Sequence, residues 1–132
     1  MLKGAEGALD LYLTEQQTDN QRLSVRVTKV LHQEKTAFQD LVVVETAQWG
    51  RLMALDGFFQ TSDREEWTYH EMGAHVPLLT HPSPRKVLVV GGGDGGMVRE
   101  VVKHPSVEHV DLVEIDGRVI EVCKEYFPQI SA

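Results

Sequence analysis

The sequence predicts an α/β protein in which a small antiparallel β-domain precedes the start of a doubly wound parallel sheet. Two observations support this fold class. Residues 11–61 contain short segments that alternate between apolar and polar side chains, as strands with one solvated face do. Residues 86–127 instead follow the order strand, glycine-rich turn, helix, strand and helix. We therefore expect two domains, residues 1–81 and 82–132.

The strands of the first domain are predicted from alternation and from turn residues. Residues 23–28 alternate most clearly, and residues 38–45 are rich in β-branched side chains. Asp56-Gly57 is typical of tight hairpins, because glycine accepts a positive φ without a steric cost. This turn should pair residues 51–55 with residues 58–61.

A helix should close the first domain. Ser62 and Glu65 have the spacing of a capping box, so we expect the helix to run from about residue 63 to about residue 79. Pro77 lacks an N–H and should kink or end it. The apolar residues that we expect on or near its buried side are Trp67, Met72, Val76 and Leu79. Residues 81–84 then form a stiff linker at the domain boundary.

The second domain begins with residues 86–90, a continuous apolar run expected for a strand buried on both faces of a parallel sheet. Residues 110–114 should form the next strand. Asp116 can cap the helix that follows, and Pro128 should end it. The residues that share the apolar face of this helix are Val119, Ile120, Cys123, Tyr126 and Phe127.

The glycine-rich turn is the strongest functional signal. Gly91, Gly93 and Gly96 match G-x-G-x-x-G between a strand and a helix, and Glu114 follows 18 residues after Gly96 at the end of the next strand. This context predicts a nucleoside site, with Glu114 accepting the ribose hydroxyl protons. The competing interpretation is a tight strand-to-helix turn with a solvated glutamate.

Asp94 lies inside this turn and bears on the kind of nucleoside. Its carboxylate would repel the pyrophosphate of a dinucleotide and attract a cation. We therefore favour an adenosyl sulfonium compound, or an amine beside one, over NAD. The alternative role for Asp94 is to cap the following helix, and the two roles are compatible.

Two further candidates, the histidine pair on the predicted helix and Cys123, are weaker signals of function. His70 and His75 resemble part of a zinc-binding H-E-x-x-H motif, but five residues separate them, which places the side chains about 140° apart around a helix. We expect no metal site there, and a lone helical histidine is more often structural. Cys123 should be a core residue rather than a nucleophile.

Composition narrows the functional classes. The chain has 132 residues, of which 42% are hydrophobic and 25% charged, so we expect neither a disordered tail nor a coiled coil. A net charge of −7 disfavours nucleic acid as a partner. No apolar run is long enough for a membrane span, and residues 1–6 show no signal peptide. With a single cysteine, this favours a cytoplasmic protein.

Taken together, the motifs resemble the polyamine aminopropyltransferases, the family of spermidine synthase. The resemblance extends from about Val25 to the end of the chain. It rests on residues 55–57, 60–61, 65–72, 75–78, 87–96, 99–101 and 113–117.

The resemblance implies a small β-domain followed by a Rossmann-like domain of the methyltransferase type, here truncated. It implies transfer of an aminopropyl group from decarboxylated S-adenosylmethionine to putrescine, giving spermidine and 5′-methylthioadenosine, with no metal and no tightly bound cofactor. It also implies a homodimer or homotetramer formed through the N-terminal β-domain.

The resemblance assigns roles to individual residues. Gln39 and Glu114 match the family's contacts to the adenosyl ligand. Tyr69, His70 and Asp94 match its contacts to the aminopropyl or polyamine amine. The family's general-base aspartate follows the fourth strand of the Rossmann domain, beyond Ala132, so we expect no transferase activity from these 132 residues alone.

Other functions stay open at this point. One alternative is an aminopropyltransferase of the same family whose acceptor is agmatine, cadaverine or spermidine in place of putrescine. An S-adenosylmethionine-dependent methyltransferase shares the strand, glycine loop and acid, although residues 69–72 argue against it. A non-enzymatic alternative is a module that only forms oligomers through its β-domain.

Overall fold

The computed structural model describes residues 10–131. Residues 1–9, where we expect no signal peptide, and Ala132 lie outside this range. The described residues form a five-stranded antiparallel sheet and a two-stranded parallel sheet with its helices, as the α/β prediction requires. The strands of the first sheet lie side by side in chain order: β1 (Leu11–Thr18), β2 (Gln21–Lys35), β3 (Asp40–Thr46), β4 (Gly50–Leu55) and β5 (Phe58–Ser62).

The first sheet is curled and buries residues on both of its faces. The pairing of β2 with β3 shifts register between Val27 and Lys29 and again between Val30 and His32, which bends the long strand β2. One face carries a cluster around Val25, Val27, Val44 and Leu52. The opposite face packs against helices in the C-terminal part of the chain, so the position of these helices is set by the sheet.

The predicted hairpin at Asp56-Gly57 is confirmed. Both residues have positive φ angles, of 50° and 82°, which is the backbone that favours glycine in tight hairpins. The turn joins β4 to β5, and Leu55 pairs with Phe58 across it.

The first helix, α1 (Glu66–Thr80), begins three residues later than predicted. Ser62 does accept a hydrogen bond from the Glu65 N–H, as half of a capping box, but within a turn that precedes the helix. Asp63 holds this turn, because its carboxylate accepts from the backbone and side chain of Arg51. Pro77 does not end the helix, which continues for three more residues.

The predicted buried side of α1 is wrong. The expected residues, Trp67, Met72, Val76 and Leu79, are 50–76% exposed. The buried residues are His70, Ala74 and Leu78, spaced by four along the helix. Ala74 and Leu78 pack with Val101 of the next helix, so the side of α1 that faces the second domain is decided by that contact.

The predicted second domain begins with the parallel strands β6 (Lys86–Val90) and β7 (His109–Val113). Its helices are α2 (Gly96–Val101), α3 (Gly117–Tyr126) and α4 (Pro128–Ser131). The expectation that β6 is buried on both faces is wrong, because Leu88 and Val90 are 62% and 79% exposed. Within the described range, α1 and α2 cover only the face that carries Val87 and Val110.

Helix α3 joins the second domain to the first sheet. Asp116 caps it, accepting from the Arg118 N–H at 3.1 Å, and the helix ends before Pro128, both as predicted. Val119, Cys123 and Phe127 are buried as expected, whereas Ile120 is only half-buried. The cluster that joins α3 and α4 to β3 and β4 contains Leu41, Val43, Met53, Val119, Val122, Cys123, Phe127 and Ile130.

The described residues bear on two of the sequence predictions, the one about membrane spans and the one about Cys123. No helix among residues 10–131 is long and apolar enough to cross a membrane. Burial, together with the charges of Asp94 and Glu114, raises the pKa of Cys123 to about 12, so this thiol is a core group rather than a nucleophile.

Candidate active site

A cavity of about 490 Å³ lies where the first sheet, α1 and the glycine-rich turn meet. Every predicted site residue except Gly96 lines it: Gln39, Tyr69, His70, Gly91, Gly93, Asp94 and Glu114. Gly96 lies immediately behind, against the ring of His70. A second, mainly apolar cavity of about 440 Å³ contains neither the glycine turn nor its acids. The structure therefore brings the predicted residues together at one place.

The glycine turn, residues 91–96, has a geometry that requires glycine for two different reasons. Gly91, Gly92 and Gly95 have positive φ angles of 78–83°, which other residues rarely adopt. Gly93 is needed for space, because a Cβ there would lie 3.0 Å from Glu114 and Val119. The turn is thus built so that its backbone lies directly against Glu114.

Glu114 is held in place by backbone N–H groups. Its Oε2 accepts from Gly93 at 3.0 Å, and its Oε1 accepts from Asp116 at 3.1 Å. A carboxylate offers about four lone-pair positions, so further donors can still be accepted on the cavity side. This geometry is compatible with the predicted contact to two ribose hydroxyl groups.

Gln39 reaches the cavity from the turn between β2 and β3. Its Nε2 donates to Oδ2 of Asp116 at 2.8 Å, and Thr36 donates to the same oxygen at 2.7 Å. Burial alone would raise the pKa of Asp116, but these hydrogen bonds outweigh it and lower the pKa. Asp116 therefore fixes Gln39 beside Glu114.

Asp94 is almost fully buried, at 8% exposure, and each of its oxygens has a partner. Its Oδ1 accepts from the Gly96 N–H at 3.0 Å, so the side chain does help to start α2. Its Oδ2 lies 3.2 Å from Nε2 of His70. The carboxylate thus binds the first N–H of α2, although the N-cap position is occupied by Gly95 and not by Asp94, and it also faces the cavity.

His70 is 3% exposed and lies between two carboxylates. Its Nδ1 is 2.6 Å from Oε2 of Glu66, one helical turn earlier, while its Nε2 faces Asp94. Burial alone would lower the pKa of His70, but the hydrogen bonds to Asp94 and Glu66 outweigh it, and the pKa is raised. Tyr69 lies beside it, exposed, with the two ring centres 5.5 Å apart.

Three residues in or near the cavity were not predicted to belong to the site: Gln60, Glu66 and Arg99. Gln60 lines it from β5. Arg99 on α2 donates to both oxygens of Glu66, at 3.1 and 2.8 Å. The spacing of four between Glu66 and His70 is a visible helical pair, whereas Arg99 is 33 residues from Glu66 and its contact depends on the packing of α1 against α2.

His75 points away from this cavity. Its Nδ1 lies 2.8 Å from Nε2 of His104, and its Nε2 lies 3.2 Å from Glu100. His70 and His75 therefore have separate partners. Within residues 10–131 there is no group of three histidine, cysteine, aspartate or glutamate side chains that could hold a metal ion.

Family models match both halves of the chain. A spermine/spermidine synthase domain matches residues 66–132, and a spermidine synthase tetramerisation domain matches residues 11–63. The chain belongs to the spermine/spermidine synthase family. The predicted family resemblance is therefore confirmed.

Individual relatives agree. The chain is 54% identical to a polyamine aminopropyltransferase of Methanocaldococcus jannaschii over 92% of its own length and 41% of the relative's. The corresponding values for a polyamine aminopropyltransferase of Bacillus subtilis are 54%, 92% and 44%. The chain thus spans less than half the length of these relatives.

Solved structures of the family share the fold. The spermidine synthase from Thermotoga maritima is 43% identical, with a TM-score of 0.87 over 92% of this chain and 43% of that one. A crystal structure of spermidine synthase in complex with the transition-state analogue AdoDATO gives the same identity and TM-score, and covers 92% of this chain and 42% of that one.

Proposed function

We propose that this chain supplies the substrate-binding part of a polyamine aminopropyltransferase. The reaction is transfer of an aminopropyl group from decarboxylated S-adenosylmethionine to putrescine, which gives spermidine and 5′-methylthioadenosine. The observation that carries this proposal is that Asp94, inside the glycine turn, and Glu114, against which the turn packs, line one cavity.

The nucleoside end of the ligand belongs at Glu114 and Gln39. Glu114 accepts the ribose hydroxyl protons with lone pairs that its backbone partners leave free. The Gln39 amide, held by Asp116, lies at the same end of the cavity. Gly91, where a Cβ would meet nothing within 4 Å, lets the nucleoside approach the backbone. This end needs no positively charged protein group because adenosine carries no phosphate.

The amine end belongs at Asp94. A nearly buried carboxylate attracts a primary ammonium group more strongly than an exposed one does, because the surrounding dielectric constant is low. His70 and the exposed Tyr69 border the same end of the cavity. We assign these residues to the aminopropyl or polyamine amine.

In the reaction, a neutral amine nitrogen attacks the methylene group next to the sulfonium sulfur. A carbon–nitrogen bond forms, the carbon–sulfur bond breaks, and its electron pair neutralises the sulfonium to give a thioether. The new secondary ammonium then loses one proton to a base. The residues described here hold the two substrates in line, which is the larger part of the task.

We assign none of the residues described here as the base that removes this proton. The family resemblance assigns it to an aspartate beyond Ala132. We therefore predict that the 132-residue chain binds the adenosyl ligand without forming spermidine. Measurable spermidine formation by these residues alone would contradict this assignment.

Calorimetric titration tests the proposed ligand. The chain should bind decarboxylated S-adenosylmethionine more tightly than S-adenosylmethionine, because the extra carboxylate of the latter would lie near Asp94 and be repelled. Asp94→Asn should weaken binding of the decarboxylated ligand about tenfold or more, and 5′-methylthioadenosine, which has no amine, much less.

The matched control is Asp111→Asn, which removes one carboxylate from an exposed position on β7. It should leave both affinities unchanged. Equal weakening of the two ligands by Asp94→Asn would mean that Asp94 only starts α2. A preference for S-adenosylmethionine would instead favour the methyltransferase alternative.

We also propose that the N-terminal sheet assembles copies of the protein into a homodimer or homotetramer. Support comes from the match of residues 11–63 to a tetramerisation domain and from the exposed Leu11, Tyr12 and Val30 on β1 and β2. Sedimentation should show a discrete oligomer. A monomer at micromolar concentration would contradict this part of the proposal.

A further inference from the structure

An ordered row of alternating charges begins at Asp94 and His70, which line the amine end of the cavity, and continues behind them. Asp94 faces His70, His70 faces Glu66, and Glu66 is bound by Arg99 through two hydrogen bonds. Arg99 also donates to the buried Glu100 at 2.8 Å. Each negative group in this row therefore has a positive neighbour.

The row has consequences for the protonation state of His70. Each ring nitrogen faces a carboxylate oxygen, at 2.6 Å for Nδ1 and 3.2 Å for Nε2. A neutral imidazole has only one N–H, so one of these contacts would set a nitrogen lone pair against a carboxylate. Only the doubly protonated ring satisfies both.

The remaining groups around His70 favour the same state. On its own helix the titratable neighbours are Glu66 and the exposed Tyr69, and the glycine turn contributes Asp94. Helix α2 contributes Arg99, which is neutralised by its bonds to Glu66, and Glu114 lines the same cavity. The direction of the pKa shift, upward, agrees with this set.

This inference rests on the proposed function. We infer that Glu66, held by Arg99, is a positioning residue that keeps His70 charged as the resting counter-ion of Asp94, and that an amine bound at Asp94 replaces His70 in this role and expels its Nε2 proton to solvent. The charge count balances, because one ammonium enters and one proton leaves.

The tautomer left behind is set by Glu66. After the proton leaves Nε2, the ring keeps its Nδ1–H on Glu66 and presents the Nε2 lone pair toward the bound ammonium. That ammonium can donate to Asp94 and to His70 together. The exchange therefore gives the amine two acceptors, although the protein offers a cation at this place before the ligand arrives.

Nitrogen NMR on histidine-labelled protein measures the protonation state of His70 directly, because the chemical shifts of the two ring nitrogens differ between the charged and neutral forms. The His70 signals are assigned by their loss in His70→Gln. At pH 7 the free chain should show His70 charged. Decarboxylated S-adenosylmethionine should convert it to the neutral Nδ1–H form, and calorimetry in buffers of different ionisation enthalpy should show release of about one proton.

Two matched ligands separate the amine from the rest of the molecule. 5′-Methylthioadenosine lacks both the amine and the sulfonium charge, and the adenosyl dimethylsulfonium ion has the sulfonium alone. Neither should discharge His70. Proton release that persists in His70→Gln would come from the ligand's own amine and would overturn the inference.

A pair of variants on one helix tests the positioning role. Glu66→Gln should move the titration of His70 to lower pH, and the ring should no longer be fully charged at pH 7. Glu71→Gln removes one exposed carboxylate from the same helix and should leave the titration unchanged. An unchanged titration in folded Glu66→Gln would overturn the role of Glu66, and the wild-type spectra test the exchange even if that variant does not fold.

The outcomes distinguish this inference from the function beneath it. If decarboxylated S-adenosylmethionine binds and His70 stays charged, or if His70 is neutral in the free chain, the inference fails and the proposed function stands. If neither nitrogen nor amide signals respond to the ligand at millimolar concentration, the proposed function fails and this inference fails with it.

Discussion

The two ends of the cavity hold their carboxylates by different means. At the nucleoside end, Glu114 and Asp116 accept from backbone N–H groups, a hydroxyl and an amide, which carry no formal charge. At the amine end, Asp94 and Glu66 share the buried His70. Neutral donors leave a negative charge intact for hydroxyl groups, whereas an ion pair compensates it.

Because of this difference, the affinity of each end for its ligand should respond differently to pH. The nucleoside end adds hydrogen bonds to an arrangement that is already satisfied, so its affinity should depend little on pH near neutrality. The amine end exchanges one cation for another, so its affinity should depend on the protonation state of His70. Three predictions test this contrast, from the largest expected effect to the smallest.

Gly96→Ala should break the amine end. The new Cβ would lie 2.3 Å from the His70 ring, closer than any real contact, and the buried ring has little room to move. We expect a loss of about 1–3 kcal/mol or more in the free energy of unfolding, and loss of binding to amine-bearing ligands. Denaturant unfolding and calorimetry measure the two effects.

The control for this variant is Gly117→Ala at the start of α3, where a Cβ would meet nothing within 4 Å. It should be close to neutral. If folded Gly96→Ala bound the amine ligand as well as wild type does, His70 would have no part in that end of the site.

Asp116→Asn should damage the nucleoside end alone. Asp116 is buried and accepts from Thr36, Gln39 and Arg118. An amide cannot accept at both positions without placing an NH₂ against a donor, so we expect about 1–3 kcal/mol of destabilisation and weaker binding of 5′-methylthioadenosine.

The nitrogen spectrum of His70 is the internal control for this variant. It should keep the wild-type pattern, because no contact joins His70 to Asp116. A shifted His70 titration would mean that the two ends are coupled, and the contrast between them would have to be abandoned.

The smallest effect is the dependence of stability on pH. The folded pKa of His70 is raised, so its contribution is complete below the unfolded pKa of about 6.5 and is lost as pH rises through the folded pKa. The folded pKa of Asp116 is lowered, so its contribution is present above about pH 4 and is lost as pH falls through the folded pKa.

Urea unfolding between pH 3 and pH 9 should therefore show two separate losses. His70→Gln should abolish the loss on the alkaline side, and should reduce the acid-side loss only in part, because His70 helps to lower the pKa of Glu66. Asp116→Asn should reduce the acid-side loss without removing it, because Glu66 and Glu100 also have lowered pKa values, and should leave the alkaline side unchanged. An Asp116→Asn variant that flattened the alkaline side would contradict the independence of the two ends.

Much of the fold was predictable because its signals are local. The Asp56-Gly57 hairpin, the Asp116 cap and the positive-φ glycines follow from backbone preferences that a few residues express by themselves. The buried side of α1 was not predictable from the sequence. Ala74 and Leu78 are buried because they contact α2, whereas larger apolar side chains of the same helix are exposed to solvent.

The candidate site divides in the same way. Asp94 and Glu114 were found from their positions beside the glycine motif, and the structure places both in the cavity, although their roles stay predictions. Arg99 was missed because its bond to Glu66 exists only after two helices have packed. The exposure of Leu88 on β6 has a similar origin, since burial of a strand face depends on what else packs against it.

The close approach of Gly96 to His70 has a consequence for sequence variation. The imidazole ring occupies the volume that a side chain at position 96 would need, so the two positions form one steric unit. Among family members, any residue larger than glycine at position 96 should be accompanied by a smaller side chain at position 70. A larger residue at position 96 is then tolerated only in a lineage that has already changed position 70.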